Sequence, residues 1–212
     1  MSPRPVDPHL GEHLIEAAAR LLAEEGPQAL STRRLAAAVG TSTMAVYTRF
    51  GGKEDLVRAM VREGFRLLER RMGAVGESDD PVGDVVRLGR AYRDNAQEHR
   101  NLYGVMFGGQ GLDFALSDED RQYGRYTLTS VVDAVERAMA AGRFRAGDPH
   151  LVANQMWIGL HGLVALELGG YLVPPYDADV CFEAQVLGML VAAGDSPGEA
   201  AASMRHGRER TK

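Results

Sequence analysis

Side chains that can hydrogen-bond to a nucleic acid are concentrated in a short segment near the N-terminus. The sequence TSTMAVYTRF spaces Thr43, Met44, Tyr47 and Thr48 so that they share the outer face of a predicted helix. Threonine hydroxyls can reach base edges or phosphates, and methionine or tyrosine side chains can touch thymine methyl groups. Outward methionine and tyrosine side chains are unusual on a surface that faces only water. The segment therefore favours contact with DNA, although a helical hairpin without this role would have the same spacing.

Two short predicted helices position these side chains. The first runs over 32–39 behind a capping serine or threonine and ends at Gly40, and the second runs over 43–49. An amphipathic helix over 9–25 precedes them. Two short helices joined by a tight glycine-containing turn are typical of a helix-turn-helix, in which the first helix braces the second and the second enters the major groove.

The segment from Leu14 to Leu56 resembles the DNA-binding domain of TetR/AcrR-family transcriptional regulators. The stretches AAARLLAEEG and LSTRRLAAAVGTSTMAVYTRFGGKEDLV carry the resemblance, which includes a threonine-capped helix, an alanine pair, a Val-Gly turn and a Lys-Glu-x-Leu helix start. It implies that Thr32, Arg33 and Lys53 contact phosphate and that Tyr47 touches phosphate or a thymine methyl group.

Two arginines extend this prediction. Arg49 lies where the family varies and is interpreted as a further phosphate contact, whereas Arg4 is interpreted as part of a solvated arm rather than a minor-groove contact. The predicted DNA-binding residues are Thr32, Arg33, Thr43, Met44, Tyr47, Thr48, Arg49 and Lys53.

The net charge of −5 at first argues against a nucleic-acid partner, because DNA-binding domains are usually basic. The charges are unevenly distributed, however. Residues 31–71 contain nine basic and four acidic side chains, whereas residues 72–212 contain 13 basic and 20 acidic side chains. The basic charge therefore coincides with the predicted helix-turn-helix and the helix behind it.

Common enzyme motifs are missing from the sequence. It contains no GxSxG, HExxH, P-loop or Rossmann glycine pattern, and its six histidines are scattered. The single cysteine, Cys181, excludes an intramolecular disulfide and a cysteine-based zinc cluster. We expect no catalytic residues, no enzymatic activity, no cofactor and no metal, and a cytoplasmic location.

Strand signals are nearly absent, so the fold class is predicted to be all-α with about nine helices. Helical spacing continues over 118–141 as one segment. The predicted organisation is a three-helix helix-turn-helix domain at 1–52, a linking helix at 53–75, a ligand-binding and dimerisation bundle at 76–194, and a disordered tail at 195–212.

The motifs WIGLHG (157–162) and HRNLYGVMFG (99–108) resemble the regulatory domain of a TetR subclass with a Trp-His-Gly signature. The resemblance implies ligand sensing and dimer formation. Trp157 and His161 share one helix face and either fix a helix–helix contact or line a cavity. The predicted pocket residues, which would equally suit a plain core, are Tyr92, Tyr103, Met106, Phe107, Tyr126, Trp157 and His161.

The predicted helices over 149–173 and 177–193 are apolar on most faces. The first is long enough to span a bilayer, but Asn154, Gln155, His161 and Glu167 interrupt it, so we expect no membrane partner. A two-fold dimer with a four-helix interface would bury both helices. The predicted interface residues are Gly159, Gly162, Leu163, Leu166, Leu187 and Leu190.

Together these features predict a homodimeric repressor that binds a near-palindromic operator in double-stranded DNA, with half-sites roughly 34–36 Å apart. A small-molecule inducer would shift the helix over 53–72 and release the operator. The alternative is a helical small-molecule carrier or sensor that does not bind DNA and makes no use of the Thr43–Arg49 face.

Overall fold

The computed structural model describes residues 8–107 and 117–209, where the regular structure is entirely helical. The all-α prediction is therefore confirmed. The described residues form a 3-10 turn (Pro27–Ala29) and eleven α-helices instead of about nine: α1 (Leu10–Glu25), α2 (Thr32–Val39), α3 (Thr43–Phe50), α4 (Lys53–Gly73), α5 (Pro81–Glu98), α6 (Arg100–Met106), α7 (Asp118–Tyr126), α8 (Thr129–Ala140), α9 (Pro149–Leu168), α10 (Ala178–Ala193) and α11 (Pro197–Glu209).

One of the additional helices comes from a break in the segment predicted as a single helix over 118–141. The chain leaves helical geometry at Thr127, whose hydroxyl donates to the carbonyl oxygen of Gly124 at 2.7 Å. Such a side-chain hydrogen bond competes with the helix ladder. Two helices, α7 and α8, therefore replace the one that periodicity predicted.

The prediction of a disordered tail is wrong for residues 197–209, which form α11. Ser196 caps this helix: its Oγ accepts a hydrogen bond from Glu199 N at 3.2 Å and donates to the Glu199 carboxylate at 2.8 Å. Ala200 and Met204 are buried, so one face of α11 packs into the core. The segment contains few large apolar residues, which is why its composition suggested disorder. Its alanines are nevertheless small enough to pack closely against the core. Residues 210–212 lie outside the described part of the chain.

The chain divides into two compact units, and the first consists of residues 1–67 and 99–123. Leu14, Leu35, Val46 and Met60 are among its fully buried side chains. Helix α6 packs against α1, so residues 99–123 belong with the helix-turn-helix instead of with the C-terminal bundle predicted to start at 76. Arg4 and the glycine-rich segment at 108–111 lie outside the described residues.

The second unit consists of residues 68–98 and 124–212. Helix α5 is its central element and contacts α8, α9, α10 and α11. Asp84 on α5 is buried and accepts hydrogen bonds from Ser78, Arg87 and Arg137. Burial opposes ionisation of this carboxyl, but the hydrogen bonds from Ser78 and Arg137 outweigh it and hold the pKa of Asp84 below its ordinary value. The acidic group is thus a paired anion inside the bundle.

Candidate nucleic-acid interface

Serine caps begin both helices of the helix-turn-helix. The Oγ of Ser31 accepts a hydrogen bond from Arg34 N at 3.3 Å at the start of α2, and the Oγ of Ser42 accepts one from Ala45 N at 3.1 Å at the start of α3. Between them Gly40 adopts φ 70° and ψ 33°, the left-handed conformation that favours glycine and ends α2. Local interactions therefore set the angle of the turn, and with it the direction of α3.

The side chains predicted to contact bases are exposed on α3. Met44 is 70% exposed and Tyr47 is 61% exposed, and Thr43 and Thr48 are also exposed. We call these four residues the recognition face. Val46, on the opposite side of α3, is 2% exposed and anchors the helix in the core. Met44 and Tyr47 thus face outwards from a well-anchored helix, as predicted for the recognition face.

Exposed cations lie in the first turns of α2 and α4. Arg33, beside Thr32 in the first turn of α2, and Lys53, the first residue of α4, are exposed. Neither forms an ion pair with another residue in the described ranges. Arg34, by contrast, donates to Glu25 at 2.6 Å, which ties α2 to the end of α1. Arg33 and Lys53 are therefore available for the predicted phosphate contacts.

Arg49 is exposed, but its guanidinium is directed towards α1. A Cβ added at Gly11 would lie 2.7 Å from Nη2 and 2.9 Å from Nε of Arg49. Arg49 also forms no ion pair within the described part of the chain. This contact between Gly11 and Arg49 was not predicted; its signal in the sequence is a glycine in the first turn of an otherwise strongly helical segment.

The arginines of α4 are largely neutralised within the first unit. Arg58 donates to Asp55 at 3.3 Å, and Arg62 donates to Asp120 of α7 at 3.1 Å. Asp120 is buried; burial opposes its ionisation, but hydrogen bonds from Ser117 and Arg62 prevail and lower its pKa. Part of the positive charge counted over 31–71 is therefore neutralised by ion pairs within the protein.

The predicted pocket residues are divided between the two units. In the second unit, the Tyr92 hydroxyl lies 3.0 Å from Nδ1 of His161, and the rings of Trp157 and His161 are 5.8 Å apart. Burial lowers the pKa of His161. Tyr126, at the end of α7, is 60% exposed.

The remaining three predicted pocket residues belong to the first unit. The rings of Tyr103 and Phe107 meet edge to face at 5.2 Å, and Phe65 of α4 contacts Phe107 in the same way at 5.7 Å. Met106 packs directly against Gly64 of α4. These three residues therefore join α6 to α4, which is the role of a plain core.

The predicted interface residues also separate into two groups. Leu163 and Leu190 are 4% and 1% exposed, so they pack in the core of their own chain. An apolar helix buries one side in its own protomer, and these two leucines lie on that side. Gly162 and Leu166 are exposed, and Gly159 and Leu187 are half-buried.

An unpaired apolar surface remains on the last long helices of the second unit. We call it the apolar face and define it by its large exposed side chains: Leu151, Ile158, Leu166 and Val180. Among the described helices, α9 is long and apolar enough to cross a membrane, but a single such helix is weak evidence for a membrane span. In the described ranges, no three His, Cys, Asp or Glu side chains are grouped to hold a metal ion.

Two family models, both of the tetracycline-repressor type, match the N-terminal and C-terminal parts of the chain. A family model described as "Bacterial regulatory proteins, tetR family" matches residues 14–60, and one described as "Tetracyclin repressor-like, C-terminal domain" matches residues 85–205. An uncharacterised HTH-type transcriptional regulator of Mycobacterium tuberculosis is 29% identical over 186 residues, covering 86% of this chain and 80% of that protein.

Solved structures share the fold at lower identity. A protein of unknown function from Rhodococcus sp. RHA1 has a TM-score of 0.76 at 24% identity, covering 92% of this chain and 100% of that one. AibR in complex with isovaleryl coenzyme A and operator DNA has a TM-score of 0.62 at 20% identity, covering 86% of this chain and 97% of that one.

Proposed function

Because this chain belongs to the TetR family of bacterial transcriptional regulators, we propose that it is a homodimeric, cytoplasmic repressor that a small molecule releases from a near-palindromic operator. The observation that carries the proposal is the recognition face. Met44 and Tyr47 are exposed on a helix whose start, turn and core anchor are all set by local interactions. A hydrocarbon and a phenol held outwards in this way suit thymine methyl groups and base edges in the major groove.

The apolar face supports the homodimer. Ile158 and Leu166 on α9 and Val180 on α10 are 63%, 48% and 48% exposed. Several large apolar side chains exposed on two packed helices suit an interaction site. Gly162, which is exposed on α9, keeps the surface slim enough for a close approach of helices. A two-fold axis through this face would pair two recognition faces with two operator half-sites.

The proposed inducer site is the group formed by buried Tyr92 and half-buried Trp157 and His161 in the second unit. The AibR complex, which holds both isovaleryl coenzyme A and operator DNA, offers a precedent for a ligand and DNA on one protein of this fold. Helix α4 contains residues of both units, so a ligand-dependent shift of α4 would reach α3. A coupling of roughly 1–3 kcal/mol between ligand and operator is enough for a switch.

The test is binding to the DNA that flanks the coding region, measured over a salt series. We expect saturable binding to one near-palindromic segment, with a salt slope that counts the phosphate contacts. Tyr47→Ala removes the largest side chain of the recognition face and should weaken operator binding by about 1–3 kcal/mol. Equally weak binding to every duplex would contradict a specific regulator.

A carrier or sensor without DNA binding remains the second candidate, and the same variant separates the two. A carrier would lose nothing when Tyr47 is replaced, because this exposed side chain is remote in sequence from the proposed inducer site. A wild-type chain that binds no flanking duplex specifically, and a Tyr47→Ala variant that keeps the wild-type stability and binds DNA no differently, would favour the carrier.

A further inference from the structure

The guanidinium of Arg49 rests on bare helix backbone. Arg49 lies in the last turn of α3, and Gly11 lies in the first turn of α1. The distances of 2.7 Å and 2.9 Å from an added Cβ to Nη2 and Nε are shorter than any van der Waals contact allows. Any side chain at position 11 would therefore displace the guanidinium, although alanine is otherwise favoured over glycine inside a helix.

This arginine differs from its neighbours in the first unit. Arg34 donates to Glu25, Arg62 donates to Asp120, and each is held in place by that carboxylate. Arg49 forms no hydrogen bond or ion pair with any described residue. The Arg49 guanidinium instead lies against Gly11, and its exposed N–H donors are available to a phosphate one residue beyond Thr48 of the recognition face.

We propose that Gly11 is a positioning residue for DNA binding, an inference that rests on the function proposed above. By leaving room on α1, Gly11 holds the Arg49 guanidinium at the edge of the recognition face, where it binds one backbone phosphate. A guanidinium binds phosphate through paired N–H···O bonds, so its orientation decides whether both bonds form.

The test compares the wild-type chain with Gly11→Ala, Arg49→Ala and the double variant. Each protein is titrated against the near-palindromic flanking duplex and against an unrelated duplex of equal length, over a salt series. Arg49→Ala should lower the salt slope by about 0.9, the contribution of one phosphate. Its operator affinity should fall about tenfold, which corresponds to about 1.4 kcal/mol.

Gly11→Ala should lower affinity and slope in the same direction without lowering the melting temperature, and it should change nothing in the Arg49→Ala background. If Gly11→Ala lowered operator affinity equally in the wild-type and Arg49→Ala backgrounds, position 11 would act through α1 itself. If Arg49→Ala left the salt slope unchanged, Arg49 would not contact a phosphate. Either result overturns the proposal.

Gly73→Ala is the matched control, since Gly73 is also helical and no atom lies within 4 Å of its added Cβ. It should bind like the wild type. A wild-type chain that binds both duplexes equally would refute the proposed repressor function, whereas the slopes on the unrelated duplex would still test Gly11 and Arg49.

Discussion

At the scale of single residues, polar groups in this protein fall into paired and unpaired sets. Asp84 and Asp120 are buried anions whose hydrogen-bond partners hold them ionised. Arg33 and Lys53 are exposed and without ion pairs among the described residues. Since a buried charge is tolerated only when it is compensated, the paired groups serve the fold, and the unpaired cations are the ones that we propose to contact DNA.

His161 provides a prediction about pH. Burial lowers its pKa below the ordinary 6.5, so the unfolded chain takes up the proton more readily than the folded one. The free energy of unfolding should therefore fall as the pH decreases through about 6.5 and be fully retained above it. His161→Gln should remove this component of the pH dependence, as measured by urea denaturation between about pH 5 and pH 8.

The buried carboxylates of Asp84 and Asp120 do not contribute to the pH dependence between about pH 5 and pH 8. Because the pKa values of these two groups are lowered, their protonation reduces the free energy of unfolding only below about pH 4. An identical pH dependence for the wild type and His161→Gln would show that His161 is not the group responsible.

At the scale of elements, helix caps explain both the successes and the failures of prediction. The bounds of α2 follow from Ser31 and Gly40, because the cap and the left-handed glycine are local signals. The same kind of signal precedes α11, where the Ser196 hydroxyl accepts from Glu199 N and donates to the Glu199 carboxylate. Composition suggested disorder there, but whether a marginal helix forms depends on the surface it packs against.

The α11 cap gives a prediction about stability. Ser196→Ala should destabilise the protein by about 1 kcal/mol, because it removes the hydroxyl that satisfies Glu199 N. Ser196→Thr keeps the hydroxyl and is the control, with a change of less than about 0.5 kcal/mol expected. Equal unfolding midpoints in denaturant for wild type and Ser196→Ala would mean that the cap contributes nothing.

At the scale of the whole molecule, an apolar helix pattern does not reveal which side faces the protomer and which faces a partner. Leu163 and Leu166 are three residues apart on α9, yet the first is buried and the second is half exposed. Likewise, the contact of Arg49 with Gly11 joins segments distant in sequence, which no local pattern encodes. Exposure on α3 was predictable because a short amphipathic helix has one obvious core side.

The apolar face gives a prediction about assembly. Ile158→Glu places a charge in the middle of this surface, where Ile158 is 63% exposed, and should convert a dimer into monomers in sedimentation velocity experiments. Operator affinity should fall with it, since one recognition face then engages one half-site. Ala140→Glu adds the same charge at an exposed site on α8 and should leave the dimer intact. A dimeric Ile158→Glu would place the interface elsewhere.

The return of the chain to the first unit at 99–123 constrains how such regulators can be recombined. A chimera that exchanges only the N-terminal 67 residues separates α1 from its packing partner α6 and Phe65 from Phe107. Exchange of both segments together preserves these contacts. The unit that contains the helix-turn-helix is therefore encoded by two separate segments of the gene, and a single crossover between codons 67 and 99 separates them.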